Sequence, residues 1–304
     1  MASPALVELQ IGPFSLALCP EVGGAVVRAE GWGRELLRPA KRAAIAARDP
    51  LDLAAYVLVP FSNRVRDAQF TFEGRTYHLA RNFPPEPNAI HGNGWQRAWQ
   101  VDHVAAGEAV LSLAHDPAHD GAAQWPFAYH ATQHYTLADD GFRVRLELRN
   151  ADARRMPAGI GLHPFFPLTP ATRLSARLAG VWQSDARNLP AAHTPVPPAW
   201  DFAGGPPVAP LSLDNCFTGW DHVAVVEWPD RRLRLALEAS SNLGSLVIFV
   251  PRAHDYFCVE PVSNINDAFN LAAAGVADTG LVVLSPGETL SAEIRFRFSL
   301  VSPA

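Results

Sequence analysis

The chain has 304 residues, of which 48% are hydrophobic, and its 25 basic and 30 acidic residues give a formal net charge of −5. This composition permits a sizeable core and excludes a largely disordered chain. Because no basic block stands out that would neutralise a phosphate backbone, we expect neither nucleic acid nor an anionic membrane surface as a partner.

The N-terminal segment and the cysteines bear on the cellular compartment. The first residues lack the basic region and continuous apolar run of a secretory signal, and no apolar run approaches the roughly 20 residues that span a bilayer. Cys19, Cys216 and Cys258 are odd in number and lie far apart, without a CxxC pair. We therefore expect a cytoplasmic protein whose cysteines are small buried side chains rather than disulfides or zinc ligands.

Alternation of apolar and polar residues predicts antiparallel strands with one face on a core. The clearest example is Phe142–Arg149, where apolar residues alternate with charged ones. Phe70–Tyr77 is predicted to form a hairpin with Glu73 and Gly74 in its turn. Further strands are predicted at 233–237 and 294–298, and short helices at 41–48 and 267–274.

Turn residues are frequent throughout, with 27 prolines and 21 glycines. Many short strands separated by such turns are typical of an all-β sandwich or barrel, and no alternating βαβ pattern is present. Residues 189–210 are rich in proline, alanine and glycine, and we interpret them as a long surface loop. We expect one large all-β domain over residues 1–304: an antiparallel β-sandwich with few short helices.

Several segments combine polar, turn and aromatic residues in a way that an ordinary strand does not. They are 61–66, 88–95, 159–166 and 257–270, with a weaker fifth at 213–217.

Each candidate residue in these segments also has an ordinary structural interpretation. Arg64 fits a solvated strand position, His91 fits a turn before Gly-Asn-Gly, and His163 fits a hydrogen-bonded core histidine. Glu260 is harder to explain structurally, because an ionisable carboxyl on an apolar strand is costly without a partner.

Other catalytic signatures are weak or missing. The His115-Asp-x-x-His119-Asp spacing on a strand end does not place its ligands on one face, so we do not favour a metal site there. The sequence contains no GxSxG elbow, no phosphate-binding loop and no dinucleotide fingerprint.

The order of these motifs resembles the aldose 1-epimerase (galactose mutarotase) family. The resemblance covers residues 61–288 and rests on the following motifs, in order: Asn63-Arg64; His91-Gly-x-Gly with Trp99; Gly-x-x-His163-Pro-x-Phe; Leu-Asp214-x-x-Phe; and Val-Glu260-Pro with Asp-Ala-Phe-Asn270.

The resemblance implies a large antiparallel sandwich with a concave sugar-binding face, acting on a small-molecule aldose without cofactor or metal. It implies that Glu260 is the general base, that His163 is the general acid and that His91 helps to hold and polarise the ring oxygen. It also implies that Arg64 and Asp214 bind sugar hydroxyls. Beside Arg64, Asn63 is a further candidate for substrate binding, and Trp95 is suited either to stack on the sugar or to pack in the core.

The chain departs from the galactose-active members of the family at two positions. Those members usually have His-Gly-Gly and His-x-Tyr-Phe-Asn-Leu, whereas this chain has His91-Gly-Asn-Gly and His163-Pro-Phe-Phe-Pro-Leu168. The lost tyrosine and asparagine remove polar groups near the site, so the resemblance does not identify galactose as the substrate.

The residue types suit the interconversion of anomers. This reaction removes a proton from the anomeric hydroxyl and delivers one to the ring oxygen, so a carboxylate and an imidazolium can exchange roles in one cycle. We expect the carboxylate on its apolar strand to have a raised pKa, and the histidine to keep its ordinary pKa of about 6.5.

Three other functions fit parts of the pattern. They are a non-catalytic sugar-binding or regulatory module, a hexose-phosphate mutarotase and a glycoside hydrolase. A phosphate site needs several cationic donors, and no tight cluster is evident; a hydrolase needs two carboxyls across the scissile bond. The sequence leaves the identity of the aldose and the oligomeric state open.

Overall fold

A computed structural model describes residues 4–301. Its 25 strands are β1 (Val7–Ile11), β2 (Phe14–Cys19), β3 (Ala25–Gly31), β4 (Arg34–Glu35), β5 (Ala55–Leu58), β6 (Arg64–Val65), β7 (Gln69–Phe72), β8 (Arg75–His78), β9 (Ala89–Ile90), β10 (Gln100–Ala105), β11 (Glu108–His115), β12 (Tyr129–Ala138), β13 (Gly141–Asn150), β14 (Met156–Ala158), β15 (Gly161–Pro167), β16 (Arg173–Ala176), β17 (Gly180–Ser184), β18 (Pro190–Pro195), β19 (Leu213–Thr218), β20 (Val223–Trp228), β21 (Leu233–Ala239), β22 (Ser245–Val250), β23 (Tyr256–Val262), β24 (Val282–Leu284) and β25 (Thr289–Leu300).

The helical elements are short. They are α1 (Arg42–Ala47), α2 (Ala268–Ala273), single 3-10 turns at Pro50–Asp52, Arg66–Ala68, Gly94–Gln96, Pro198–Trp200 and Pro229–Arg231, and a π turn at Pro117–Gly121. Among residues 4–301, no helix combines the length and the apolar character needed to span a membrane.

Two large antiparallel sheets form the molecule. The eleven-stranded sheet has the order β1-β2-β3-β5-β15-β23-β22-β19-β17-β18, with β4 paired to β3. The eight-stranded sheet has the order β10-β11-β12-β13-β25-β21-β20-β16. The predicted all-β antiparallel sandwich with few short helices is therefore confirmed.

The core between the two sheets explains the period-two pattern of the sequence. On β13, Phe142, Val144, Leu146 and Leu148 are buried in this core, while the intervening arginines face outward. The alternating residues predicted on β21 and β25 are buried in the same way. One face of the eight-stranded sheet thus packs on the core and the other meets solvent.

The eleven-stranded sheet is covered on both faces, and this gives its central strands a different pattern. On β23, Phe257 and Val259 face the inter-sheet core, whereas Cys258 and Val262 belong to a second apolar cluster on the outer face. Every residue from Phe257 to Val262 is consequently buried. A strand with both faces covered appears in the sequence as a continuous apolar run.

The local predictions for the hairpin and the helices are confirmed. β7 and β8 pair as a hairpin, and Glu73 and Gly74 have φ angles of 49° and 75°. Two successive positive φ angles are the geometry of a type I′ turn, which matches the twist of the flanking strands. Helices α1 and α2 lie within the predicted ranges 41–48 and 267–274.

The interpretation of residues 189–210 as one long loop is wrong in part. Residues 190–195 form β18 at the edge of the eleven-stranded sheet, paired with β17. Farther on, Phe202 and Val208 are buried in the inter-sheet core. The prolines at the two ends of β18 weakened its strand signal, and an edge strand tolerates them because one side needs no ladder hydrogen bonds.

Candidate active site

A pocket of about 430 Å³ opens on the outer face of the eleven-stranded sheet. All seven predicted site residues line it, although they come from separate parts of the chain: Asn63, Arg64, His91, Trp95, His163, Asp214 and Glu260.

Strand register brings the polar residues of the sheet together. On β15 and β23, Gly161 pairs with Val262 and Phe165 with Cys258, so that His163 lies across from Glu260. Neighbours two residues apart on one strand share a face of the sheet, which puts His163 and Glu260 on the face that carries the pocket. Asp214 reaches this face from β19, two strands farther along.

A pair of loops supplies the other side of the pocket. β6 pairs with β9, which joins Arg64 to Ile90 and brings the segment carrying His91 beside it. The backbone N–H of His91 donates to the carbonyl oxygen of Asn63 at 2.9 Å. At Gly92, φ is +68° and an added Cβ would lie 2.1 Å from the carbonyl oxygen of Val59. Only glycine allows this close approach, and it fixes the position of His91.

His163 and Glu260 form a buried acid–base pair. Nε2 of His163 lies 3.4 Å from Oε1 of Glu260, and the side chains are 9% and 2% exposed. Nδ1 of His163 and Oε2 of Glu260 are buried without a hydrogen-bond partner. Buried polar atoms are nearly always paired, so two unpaired atoms beside a pocket indicate a site that awaits a polar ligand.

The environment shifts both members of this pair toward their neutral forms. Burial raises the pKa of Glu260 well above its ordinary value, Asp214 raises it further, and Arg64 lowers it. Burial also lowers the pKa of His163 to about 3, with a further lowering by the charge of Arg38. The expected direction is confirmed for Glu260, but the expectation of an ordinary histidine pKa is wrong for His163, because the side chain is removed from water.

His91 is held in one tautomer. Its Nδ1 accepts a hydrogen bond from the backbone N–H of Asn63 at 3.1 Å, which leaves the proton on Nε2. Burial lowers its pKa well below the ordinary value, and the nearby His163 and Arg64 lower it further. His91 is therefore a neutral hydrogen-bond donor at physiological pH.

Arg64 is clamped between two carboxylates. Its Nε donates to Glu86 at 3.1 Å and its Nη1 lies 3.4 Å from Asp214. The side chain of Arg64 is only 12% exposed, so the guanidinium is fixed rather than solvated. Two carboxylates therefore face this one cation.

Two aromatic side chains at the pocket, Trp95 and Phe165, have different surroundings. Trp95 lines the pocket but is only 1% exposed; its Nε1 donates to the carbonyl of Gly92, and its ring packs on Tyr56 at 5.3 Å. Most of its surface thus packs within the protein. Phe165 stacks on the imidazole of His163 with centroids 4.5 Å apart.

Three residues near the site were missed by the sequence analysis: Tyr56, Glu86 and Arg38. Tyr56 packs on His163 at 4.8 Å, and Glu86 holds Arg64. The guanidinium of Arg38 lies 4.2 Å from the centre of the Phe165 ring and donates to the carbonyl of Leu53. The sequence offered a weak indication for Tyr56, because it is a residue with a polar hydroxyl in an apolar run. It offered none for Glu86 and Arg38, since only the fold brings them to the site.

A third buried histidine, His115, lies outside this pocket. Its Nε2 pairs with the carbonyl of Trp125 at 2.8 Å and its Nδ1 with Asn93 at 3.2 Å. Tyr129 completes the group by donating to Asn93 at 2.5 Å. His119 is exposed and pairs with an aspartate of its own turn, so the two histidines of the 115–120 segment do not converge.

The fold and the pocket define a β-sandwich protein with a buried acid–base pair on one sheet. The aldose 1-epimerase family model matches residues 5–297. The uncharacterized protein YphB of Escherichia coli K12 is 31% identical over 294 residues, covering 93% of this chain and 96% of that protein. The aldose 1-epimerase of the same organism is 26% identical over 173 residues, covering 51% of this chain and 48% of that enzyme.

A solved structure agrees with the family match. A crystal structure from Escherichia coli K12, provisionally described as an aldose 1-epimerase, superposes with a TM-score of 0.88 at 28% identity and covers 98% of this chain and 99% of its own. The chain belongs to the aldose 1-epimerase family.

Proposed function

We propose that this protein is an aldose 1-epimerase that interconverts the α and β anomers of a free aldose. The observation that carries the proposal is the buried pair of His163 and Glu260, whose facing atoms are 3.4 Å apart at a sugar-sized pocket. Membership of the family supports a sugar as the substrate.

The pair holds one exchangeable proton, and this suits a reaction that begins and ends with a cyclic sugar. Burial favours the proton on Glu260, whose Oε1 lies 3.4 Å from Nε2 of His163, so a slight approach of the two side chains lets the proton pass to His163. The Glu260 carboxylate then accepts the proton of the anomeric hydroxyl while His163 donates to the ring oxygen. After rotation about the C1–C2 bond, the two transfers run in reverse and close the ring as the other anomer.

The remaining residues orient the sugar. The Nε2–H of His91 is available to donate to the ring oxygen, which would stabilise charge that develops there. Arg64 and Asp214 present a donor and an acceptor to hydroxyl groups, and their mutual contact at 3.4 Å holds both in position. Asn63 contributes mainly through its hydrogen bonds to His91 and Arg64.

The charge balance favours an uncharged sugar over a sugar phosphate. The cation of Arg64 is already paired with Glu86 and Asp214, and Glu260 lies in the same pocket. A phosphate would need cationic donors that these carboxylates do not leave free.

Polarimetry on freshly dissolved α-D-glucose and α-D-galactose tests the proposal. The wild type should speed relaxation to the same final rotation as the uncatalysed reaction. Glu260→Gln should lower kcat by about 100-fold or more, the usual contribution of a positioned acid–base group. Glu147→Gln, which removes a carboxylate from the outer surface of β13, should leave kcat unchanged.

The same samples separate the competing functions. Calorimetric sugar binding without faster relaxation, for a panel of aldoses, would overturn the proposal in favour of a binding module. Faster relaxation of glucose 6-phosphate but not of glucose would favour a hexose-phosphate mutarotase. Release of reducing sugar from an aryl glycoside would favour a glycoside hydrolase.

A further inference from the structure

A cysteine lies beside the acid–base pair on the same face of the sheet. Cys258 precedes Glu260 by two residues on β23, so that both side chains leave the strand on one side. Phe165 is the residue opposite Cys258, and it follows His163 by two residues. Cys258 is therefore diagonal to His163 across the two strands.

The donor atoms of these residues converge. One imidazole nitrogen of His163, Sγ of Cys258 and one oxygen of Glu260 all lie within 4.8 Å of one another. Among residues 4–301, the donor atoms of this histidine, cysteine and glutamate lie close enough together to hold a metal ion. As whole residues, Cys258 and Glu260 are at most 2% exposed and His163 is 7% exposed.

Nitrogen, sulfur and carboxylate oxygen together are the ligand set that Zn²⁺ prefers. In a tetrahedral zinc site with metal–ligand distances of about 2.0–2.3 Å, neighbouring donors are roughly 3.3–3.7 Å apart. The pair of His163 and Glu260 already meets this spacing at 3.4 Å. Sγ of Cys258 lies within 4.8 Å of the other two donor atoms. His163 and Glu260 line the pocket, from which a fourth ligand can reach the ion.

We propose that Zn²⁺ binds reversibly to His163, Cys258 and Glu260 and inhibits the enzyme by occupying both members of the proton-transfer pair. The inhibition rests on the proposed function, whereas the binding does not. On binding, the thiol of Cys258 and the protonated carboxyl of Glu260 each release one proton to solvent, and the thiolate, the imidazole Nε2 and the carboxylate coordinate the ion.

The surroundings indicate an exchangeable ion rather than a resident one. Nδ1 of His163 has no hydrogen-bond partner. Metal-ligating histidines usually donate this second nitrogen to an acceptor, and the loss of such a partner typically weakens binding by about 10–100-fold. The ion would therefore compete with the sugar for the pocket without being needed for folding.

Cobalt is the probe for binding, because Co²⁺ replaces Zn²⁺ and forms a charge-transfer absorption band with a thiolate. The full-length protein, freed of metals with a chelator, is titrated with Co²⁺ and then with Zn²⁺. We expect a one-to-one thiolate band that Zn²⁺ removes. Cys258→Ala should abolish the band, whereas Cys19→Ala, a matched change at another buried cysteine, should retain it.

Inhibition is measured separately, as the ratio of mutarotation rates with and without Zn²⁺ for each protein, so that differences in basal rate cancel. Zn²⁺ should inhibit the wild type and Cys19→Ala, and a chelator should restore the rate. In Cys258→Ala the inhibitory Zn²⁺ concentration should rise by about 100-fold or more. Loss of a direct ligand should weaken metal binding at least as much as loss of a hydrogen-bond partner of a ligand does.

The outcomes separate the two proposals. A thiolate band that persists in Cys258→Ala, or the absence of any band in the wild type, would overturn the metal site. If Cys258→Ala does not fold, Cys258→Ser serves instead, since a hydroxyl gives no thiolate band. A normal band in a protein without mutarotase activity would support the metal site and overturn the proposed function.

Discussion

Two buried histidines of this protein have opposite surroundings. His115 has both ring nitrogens hydrogen-bonded, one to Asn93 and one to the carbonyl of Trp125. His163 faces Glu260 at 3.4 Å, and its other nitrogen has no partner. Burial lowers the pKa of both imidazoles, so the pKa shift does not distinguish them.

The two sites differ in whether the polar atoms of their side chains have hydrogen-bond partners within the protein. The group around His115 fills its own hydrogen bonds and stabilises the loop that begins at His91, so its role is structural. The pair at the pocket keeps unsatisfied atoms, which cost stability and are retained at sites that bind a ligand. The unpaired atoms of His163 and Glu260, together with their place at the pocket, are what separates this pair from the group around His115.

The largest expected effect is on turnover. His163→Asn should lower kcat for mutarotation by about 100-fold or more, because it removes a proton-transfer group. His115→Asn should keep kcat close to wild type and lower the free energy of unfolding by about 1–3 kcal/mol, because buried partners lose their hydrogen bonds. Polarimetry and denaturant unfolding check the two variants. Equal losses of turnover in both would break the distinction between the histidines.

The next effect is on the pH dependence of stability. Between about pH 4.5 and 6.5 the folded pair carries one proton on Glu260, and the unfolded chain carries one on His163, so the pair contributes little slope in the wild type. When only one member of the pair remains, the free energy of unfolding should change with pH by up to about 1.4 kcal/mol per pH unit. The change should have opposite signs for the two single variants.

The signs follow from which state binds more protons. In Glu260→Gln, the remaining His163 binds a proton only when unfolded, so the free energy of unfolding should rise with pH and level off above about 6.5. In His163→Asn, the remaining Glu260 binds a proton only when folded, so the free energy of unfolding should fall as pH rises above about 4.5. Slopes of the same sign in denaturant titrations would contradict the burial of this pair.

The smallest expected effect is on sugar preference. Phe165→Tyr adds a hydroxyl to the pocket wall at the position where the galactose-active relatives have tyrosine. One new hydrogen bond is worth about 0.5–1.5 kcal/mol, so the ratio of kcat/KM for galactose to that for glucose should change by about two- to tenfold. Phe72→Tyr, in the hairpin away from the pocket, is the control. An unchanged ratio in Phe165→Tyr would show that this wall does not select the sugar.

Sequence reasoning identified residues that line the pocket better than it identified their surroundings. Glu260 stood out because a carboxyl on an apolar strand is costly, and the order of motifs linked it to His163 and His91. The same reasoning missed Glu86 and misjudged the pKa of His163. Both depend on through-space neighbours, and a contact between residues such as Arg64 and Glu86, 22 positions apart, leaves no local pattern.

The sequence alone predicted the fold class, three strands of the eight-stranded sheet (β13, β21 and β25) and the candidate residues. Period-two alternation, turn chemistry and the cost of a buried charge are local properties, and they can be deduced from short segments. Tertiary structure decided which strands are covered on both faces, that the prolines at 190–195 flank an edge strand, and which polar atoms stay unpaired. These features depend on burial and register between distant segments, and only the assembled sheets define them.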